Sequence, residues 1–326
     1  MPMLTDPYGR NIEYLRLSVT DRCDFRCFYC LPKGFKGFTL PESWLTLDEI
    51  ERIVRIFSEL GVSKVRLTGG EPLVRRDLPE IARRIGALPR IGDLSLSTNA
   101  SQLARHVRVL KDSGVSRINV SLDSLKADVF RQVTQGELDK VLSGLMAAKQ
   151  AGMHPIKINM VVMKGVNENE IGDMVDFCLA HDFTLRFIET MPVGETGTHA
   201  AKHYVSLKRV REDLKKRFDL EPAVMRGAGP ASYLRVKGSN LRIGFITPMS
   251  QHFCATCNRV RLSVEGILYL CLGKHDNLQL RTLIRQGLSD EEIMQAVLEA
   301  ITRKPERHEF NDKPGEVLRV MSLTGG

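Results

Sequence analysis

Apolar and polar positions follow two alternating rhythms along the first 220 residues of the chain. Short runs with a period of two predict β-strands, and each is followed by apolar residues three and four positions apart, as in amphipathic helices. The first such helix is expected to begin at the capping box Thr46-x-x-Glu49 and to end at Gly61. The predicted strands of this region are residues 14–19, 64–67, 94–97, 117–122, 156–162 and 185–188.

Six strand-then-helix units predict an α/β fold with a parallel sheet, in the form of an incomplete (βα)6 barrel that resembles a TIM barrel. Strands covered on both faces are normally apolar throughout, yet here polar residues alternate with apolar ones. We expect the polar set to point into the barrel and to form a basic lumen, the alternative being that these residues lie at strand ends in solvent. The polar positions are Arg16, Ser18, Arg66, Ser95, Ser97, Asn119, Ser121, Lys157, Asn159 and Arg186.

The rhythm breaks at residues 222–230, which contain Gly227-Ala228-Gly229-Pro230 and predict a linker or long turn. Short strands are expected at 233–236, 241–246, 259–264 and 267–270, the last two joined by a turn at Glu265-Gly266. Two helices are expected to close the chain, the second beginning at the capping box Ser289-x-x-Glu292. These signals divide the chain into a partial barrel, residues 1–225, and a C-terminal α+β domain, residues 226–326, that closes the barrel.

Composition restricts the class of protein. No apolar run approaches the roughly 18 residues that span a bilayer, and the N-terminus lacks a secretory pattern. We therefore expect a cytoplasmic protein without a membrane partner. The net charge of +8 favours anionic partners, but the basic residues are dispersed and aromatic residues make up only 6% of the chain. A polyanionic small molecule is thus a better candidate than nucleic acid.

Six of the seven cysteines form two sets of three, each one ligand short of four. Thiolates bind zinc or iron–sulfur clusters, and a structural zinc site is normally closed by four protein ligands. The missing fourth ligand in each set therefore favours an iron–sulfur cluster with one open coordination position. The first triad is Cys23, Cys27 and Cys30, the second is Cys254, Cys257 and Cys271, and Cys178 is expected to be an apolar core residue.

The Cys-x3-Cys-x2-Cys spacing with Tyr29 before its last cysteine, followed by Gly69-Gly70-Glu71-Pro72, resembles the radical S-adenosylmethionine superfamily. This resemblance implies a [4Fe-4S] cluster on the first triad, with S-adenosylmethionine chelated to its open iron. Reductive cleavage of S-adenosylmethionine would then give the 5'-deoxyadenosyl radical. Glycines at 69 and 70 are expected to let the backbone approach the methionine amino group.

The run Cys254-Ala-Thr-Cys257-Asn-Arg-Val-Arg, followed by Cys271, is similar to the GTP 3',8-cyclase family, as are the Ser121-Leu-Asp-Ser motif and the terminal Gly325-Gly326. The resemblance implies a second [4Fe-4S] cluster on the second triad, whose open iron binds the guanine of GTP. It also implies conversion of GTP to (8S)-3',8-cyclo-7,8-dihydroguanosine 5'-triphosphate, the first step of molybdenum cofactor biosynthesis.

The same resemblance assigns individual residues. Contacts with S-adenosylmethionine fall on Tyr29, Gly69, Gly70, Ser121 and Met191. Arg259 and Arg261 are the catalytic candidates, and the Gly325-Gly326 tail would reach into the active site. Relatives often have Thr-Thr-Asn-Gly where this chain has Ser97-Thr98-Asn99-Ala100, so either hydroxyl remains a candidate for the nucleotide contact. Contacts with GTP fall on Arg16, Arg66, Ser97, Lys157, Arg259, Val260 and Arg261.

The implied partners are GTP, a flavodoxin or ferredoxin as electron donor, and cyclic pyranopterin monophosphate synthase as the next enzyme; many relatives are homodimers. Two alternatives remain open. A radical enzyme that modifies a peptide can also carry an auxiliary cluster in a cysteine-rich C-terminal region. A non-catalytic, metal-stabilised nucleic-acid binder would require four-ligand sites and a clustered basic face, which the sequence does not show.

Overall fold

The computed structural model of the chain describes residues 3–32, 34–225, 229–312 and 320–325. The helices are α1 (Leu47–Glu59), α2 (Leu78–Gly86), α3 (Leu103–Asp112), α4 (Ala127–Thr134), α5 (Leu138–Gln150), α6 (Ile171–His181), α7 (Gly194–Ala200), α8 (Leu207–Arg217), α9 (Leu280–Arg285), α10 (Asp290–Ile301) and α11 (Met321–Thr324). The strands are β1 (Tyr14–Thr20), β2 (Lys64–Gly69), β3 (Asp93–Thr98), β4 (Arg117–Ser121), β5 (Ile156–Val161), β6 (Thr184–Ile188), β7 (Leu220–Ala223), β8 (Ser232–Val236), β9 (Arg242–Ile246), β10 (Arg259–Leu262), β11 (Ile267–Tyr269) and β12 (Asn277–Gln279).

The described strands form one sheet in the order β12-β11-β10-β1-β2-β3-β4-β5-β6-β9-β8-β7. Every neighbouring pair from β10 to β9 is parallel, and the outer pairs are antiparallel. The predicted partial barrel is confirmed. Within the described part of the chain, however, the strands that follow β6 lengthen both edges of the sheet and do not close it by hydrogen bonds.

Most of the polar residues on the parallel strands are buried, as predicted for the lumen, whereas Ser97 and Asn159 are half-buried and Ser121, at the end of β4, is exposed. On β1, Leu15 and Leu17 are fully buried under the helices, whereas Arg16 between them is 7% exposed. Asn119 and Arg186 are also buried, and the guanidinium of Arg186 donates a hydrogen bond to the side-chain oxygen of Asn119. Because successive side chains of a strand point to opposite faces, one face packs into the core and the other builds a polar interior.

Both predicted capping boxes are present. The Thr46 hydroxyl accepts a hydrogen bond from the backbone N–H of Glu49 at 3.2 Å, and the Glu49 carboxylate accepts one from the backbone N–H of Thr46 at 2.8 Å. Ser289 and Glu292 form the same reciprocal pair at the start of α10. Helix α1 ends before Gly61, whose φ of +97° suits glycine. None of the described helices is long and apolar enough to cross a membrane.

Three local predictions need correction. The segment expected to be a linker begins inside β7, an edge strand in which Pro222 is tolerated; residues 226–228 lie outside the described part. Strand β12 was not predicted because it has only three residues. Among the described residues, the C-terminal helices are α9, α10 and also the short α11, which was not predicted and whose residues contact β1 and β2.

Candidate active site

The first cysteine triad lies in the loop after β1 and faces a cavity at the carboxyl ends of the parallel strands. Phe25, which is 5% exposed, packs edge-on against Phe130 beside the cysteines. The cavity, called here the first cavity, is lined by Cys23, Phe25, Cys27, Tyr29, Cys30, Thr68, Gly69, Gly70, Glu71, Ser97, Thr98, Asn99, Ser121, Asp123, Thr134, Asn159, Val161, Ile188, Glu189, Thr190, Met191, Ala200 and Met321.

Gly69 and Gly70 lie directly against the backbone of the first cysteine loop. A Cβ atom at Gly70 would be 2.1 Å from the carbonyl oxygen of Arg22, and one at Gly69 would be 2.1 Å from that of Thr20. Gly69 also has a φ of +143°. The Gly70 N–H donates to the Thr20 carbonyl at 2.9 Å, and the Glu71 N–H donates to the Arg22 carbonyl at 2.7 Å. The glycines are therefore required for the two motif loops to pack together. This structural role of Gly69 and Gly70 was not predicted from the sequence.

Glu71 connects the glycine motif to the loop after β3. Its carboxylate accepts hydrogen bonds from the Thr98 hydroxyl at 2.7 Å, from the Asn99 N–H at 2.6 Å and from the Leu73 N–H at 3.0 Å. Burial raises the pKa of Glu71 to about 7, although these three donors act in the opposite direction. The Thr98 hydroxyl is thus already engaged within the protein.

Asp123 anchors Tyr29 of the first cysteine loop. The Tyr29 hydroxyl donates to the Asp123 carboxylate at 2.7 Å, and the Val161 N–H donates to the other oxygen at 2.8 Å. Burial raises the pKa of Asp123 to about 6. The Ser121-Leu-Asp-Ser motif could have drawn attention to this carboxylate, but only the tertiary structure brings it to Tyr29.

The second triad faces an adjoining cavity on the C-terminal side of the barrel. Cys254 and Cys257 precede β10, and Cys271 follows β11, so the β10–β11 hairpin brings them together. This second cavity is lined by Tyr14, Arg16, Arg66, Ser97, Asn159, Arg186, Ile188, Met191, Gly229, Pro230, Ile246, Pro248, Phe253, Cys254, Cys257, Arg259, Arg261, Leu270, Cys271, Leu272, Gly273, His308, Phe310 and Met321. The two cavities share Ser97, Asn159, Ile188, Met191 and Met321.

Three arginines stand side by side on the wall of the second cavity. The strand register pairs Arg261 with Arg16 and Arg16 with Arg66 across β10, β1 and β2. Burial lowers the pKa of Arg16 well below its ordinary value and lowers those of Arg66 and Arg261 to about 10, with neighbouring arginines adding to the effect. Adjacent strands are only about 4.8 Å apart, so this row of like charges favours a polyanion in the cavity.

Arg259 and Arg186 extend the basic wall, and both line the second cavity. Lys157 lies on β5 beside Asn119 and is 4% exposed. Burial, followed by the charges of Arg186, Arg117 and Arg66, lowers the pKa of Lys157 to about 7. From the sequence, Arg186 was predicted only to be a polar residue of a strand and not to contact a ligand. Its position in the second cavity depends on the pairing of β6 with β9.

Comparison with known proteins identifies the family. The model of the Radical SAM superfamily matches residues 17–178, and that of Molybdenum Cofactor Synthesis C matches residues 183–310. A GTP 3',8-cyclase 1 from Pseudomonas aeruginosa is 49% identical, with 98% of each chain covered. The chain belongs to the GTP 3',8-cyclase family. A family member from Rhizobium etli is 46% identical and covers 100% of this chain and 94% of its own length.

The solved structure of Streptococcus suis SuiB bound to S-adenosylmethionine is similar in fold. Its TM-score is 0.63 at 16% identity, and the alignment covers 91% of this chain and 69% of that one. At this identity the likeness concerns the fold alone. Together with the family match, it confirms the predicted superfamily.

The first triad fits the [4Fe-4S] cluster and S-adenosylmethionine that the superfamily implies. Cys23, Cys27 and Cys30 are free thiols at one end of the first cavity. Burial raises the pKa of Cys27 well above its ordinary value and that of Cys30 to about 11, so metal binding must displace their protons. Three soft donors beside a cavity suit a cluster with one open iron.

The predicted contact residues divide between the cavities. Tyr29, Gly69, Gly70 and Ser121 line the first cavity, and Met191 lines both. Val260 is 1% exposed in the apolar core, which leaves only its backbone for a nucleotide contact. Lys157 is outside both sets of lining residues but lies within the same basic interior.

The C-terminal tail enters the barrel. The Arg261 guanidinium donates hydrogen bonds to the carbonyl of Thr324, at 3.3 Å, and to that of Gly325. A Cβ at Gly325, whose φ is +76°, would be 2.3 Å from Thr68. Thr324 is fully buried and Met321 lines both cavities. The tail therefore reaches the site through Gly325, while Gly326 lies outside the described residues.

Proposed function

We propose that this chain is a GTP 3',8-cyclase that forms (8S)-3',8-cyclo-7,8-dihydroguanosine 5'-triphosphate, the first step of molybdenum cofactor biosynthesis. The observation that carries the proposal is the pair of adjoining cavities, each with its own cysteine triad, joined at a shared wall. A row of buried arginines lines the second cavity and supplies the charge that a triphosphate needs.

The first triad would hold a [4Fe-4S] cluster with S-adenosylmethionine, and the second triad, Cys254, Cys257 and Cys271, would hold another that binds guanine. When bound, the first cluster with S-adenosylmethionine supplies the 5'-deoxyadenosyl radical that removes the ribose C3' hydrogen before C3' bonds to C8. Tyr29, Gly69, Gly70, Ser121 and Met191 would contact S-adenosylmethionine.

The protein's own residues would orient the nucleotide. Arg16, Arg66 and Lys157 would hold the triphosphate by charge-assisted hydrogen bonds. Ser97, on the shared wall, would contact the nucleotide, because the Thr98 hydroxyl donates to Glu71. Met191 and Met321 provide apolar surface at the boundary of the two cavities, which limits the entry of water.

Arg259 and Arg261 would act beside the reacting base. Both side chains line the second cavity together with the second triad. They would stabilise the charge of the cyclised nucleotide and assist its final reduction or protonation. Holding C3' and C8 in a fixed relation is the main catalytic task of this pocket, because the cyclisation is intramolecular.

We also propose the cellular context of this activity. A flavodoxin or ferredoxin would deliver the electrons, and the product would pass to cyclic pyranopterin monophosphate synthase in the cytoplasm. A homodimer would be the assembly. The alternative of peptide modification has weaker support: the SuiB structure bound to the precursor peptide SuiA is similar in fold but only 17% identical, whereas cyclases are 45–49% identical over 98–99% of this chain.

The test is anaerobic reconstitution followed by incubation with S-adenosylmethionine, a reductant and GTP. We expect 5'-deoxyadenosine and the cyclic product to form in step with GTP consumption. Replacing Cys254, Cys257 and Cys271 together by serine should remove product but retain part of the GTP-independent cleavage of S-adenosylmethionine. Cys178→Ala, in the apolar core, is the matched control. Deoxyadenosine formation that does not respond to GTP in the unmodified protein would refute the proposal.

A further inference from the structure

A buried lysine lies beneath the second cysteine triad. Lys304 is 3% exposed, and its ammonium group donates hydrogen bonds to the carbonyl of Arg259 at 3.1 Å and to that of Leu270 at 2.5 Å. Arg259 follows Cys257 by two residues, and Leu270 directly precedes Cys271. One cation thus fixes the chain beside two of the three cysteines.

A buried arginine from the N-terminus fixes the third. Arg10 is 7% exposed, and its guanidinium donates to the carbonyl of Cys254 at 2.8 Å. It also donates to the carbonyls of Glu306 at 2.8 Å and Pro305 at 2.7 Å, directly after Lys304. Asp6 orients Arg10 through an ion pair at 2.5 Å. The two cations therefore belong to one structural unit.

We propose that Lys304 and Arg10 are positioning residues that set the spacing of the second triad, and that Lys304 also supplies positive charge beside the cluster that this triad holds. This inference rests on the proposed function only in requiring a cluster at the second triad. Each cysteine-bearing segment is tied through a backbone carbonyl, so these hydrogen bonds do not use the cysteine side chains. A buried ammonium is costly unless it is satisfied, and its placement here indicates a role beyond filling space.

The charge has a measurable consequence. Reduction adds an electron to the cluster, and a nearby positive charge in a low-dielectric interior stabilises the reduced form. Loss of the Lys304 charge should therefore move the reduction potential of the second cluster to a more negative value. The first cluster, held by a separate loop at the other cavity, should keep its potential.

The test uses Lys304→Met, which removes both the charge and the hydrogen bonds. Arg303→Met is the matched control, because Arg303 is the preceding residue and is exposed. Lys304→Gln retains a donor but loses the charge, and it also serves if Lys304→Met does not fold. All three are made in the full chain and in a background with Cys23, Cys27 and Cys30 changed to serine, so that spectroscopic signals report the second cluster alone.

We expect Lys304→Met to bind iron at the second triad about 10- to 100-fold more weakly than Arg303→Met, the usual effect of removing a residue that supports metal ligands, and to lose it faster to a chelator. The potential of the second cluster should shift negatively in both Lys304 variants, while that of the first cluster in the full chain stays unchanged. Equal chelation rates and potentials in Lys304→Met and Arg303→Met would overturn the proposal, as would equal shifts of both clusters.

These readouts are independent of turnover. If the unmodified protein carries both clusters but gives no GTP-dependent product, the proposed function fails while the role of Lys304 is still decided by the potentials. If the second triad binds no cluster in the unmodified protein, the positioning role is refuted as well. Thermal unfolding of the cluster-free variants separates a local effect from general loss of stability.

Discussion

Gly70→Ala is expected to separate the two motif loops that form the first cavity. The added methyl carbon would lie 2.1 Å from the carbonyl oxygen of Arg22 and 2.6 Å from its carbonyl carbon. Neither atom is the end of a flexible side chain, so the backbone must move. Cys23 directly follows Arg22, and the displacement should therefore reach the first cysteine of the triad.

The magnitude follows from two contributions. Overpacking of a buried site costs about 1–3 kcal/mol, and loss of the 2.7 Å hydrogen bond from the Glu71 N–H to the Arg22 carbonyl adds about 1 kcal/mol. We expect the free energy of unfolding to fall by about 2–4 kcal/mol, which for a chain of 326 residues corresponds to a melting temperature lower by about 3–6 °C.

Gly92→Ala is the matched control, since a Cβ at Gly92 would have nothing within 4 Å. Urea and thermal unfolding of the cluster-free proteins give the stability, and iron content in a background without the second triad gives occupancy of the first. Gly92→Ala should remain within about 0.5 kcal/mol of the unmodified protein. If Gly70→Ala matched Gly92→Ala in stability and iron content, the steric reasoning would be wrong.

Three further predictions concern the two cavities. Burial raises the pKa of Glu71 to about 7, so the folded state holds a proton that the unfolded state releases near pH 4.5, and the free energy of unfolding should fall as pH rises between these values. Glu71→Gln should weaken this pH dependence in urea titrations, and an unchanged pH dependence would contradict the reasoning. Thr98→Ala should lower the free energy of unfolding by about 1 kcal/mol through loss of its hydrogen bond to Glu71, whereas Ser97→Ala should mainly raise the dissociation constant for GTP measured by calorimetry. If Ser97→Ala affected stability and Thr98→Ala affected GTP binding, the nucleotide contact would belong to Thr98. Burial and nearby arginines lower the pKa of Lys157 to about 7, so triphosphate binding should raise this pKa and cause the protein to take up a proton near neutral pH. Calorimetry in two buffers should show less proton uptake for Lys157→Met than for the unmodified protein. Equal proton uptake would exclude a contact between Lys157 and the triphosphate.

Much of the fold was predictable because it depends on local periodicity. All six strands expected in the first 220 residues are present, with ends shifted by no more than two residues. The alternation of Arg16 with Leu15 and Leu17 predicted a polar lumen because side-chain direction along a strand has a period of two. Strand β12 and helix α11 were missed because such short elements depend on their neighbours.

The part of the candidate site that consists of chemically distinctive residues was predictable from the sequence. Two cysteine triads, a glycine motif and scattered basic residues indicated the cavities before their geometry was known. Other residues of the site cannot be recognised in the sequence, because their importance comes from contacts with residues far away in the chain. Lys304 bonds to carbonyls 45 and 34 residues away, and Asp123 bonds to Tyr29 across 94 residues.

The sequence by itself therefore determined which residue types are available to bind metals and anions, the order of strands and helices, and the alternation of polar and apolar residues along the strands, since these depend on composition and local spacing. Only the tertiary structure decided which residues meet. The register of β10, β1 and β2 aligns Arg261, Arg16 and Arg66, and the barrel brings Gly325 to Arg261. The physical reason is that these contacts join segments far apart in the chain, whose proximity depends on the packing of the whole sheet.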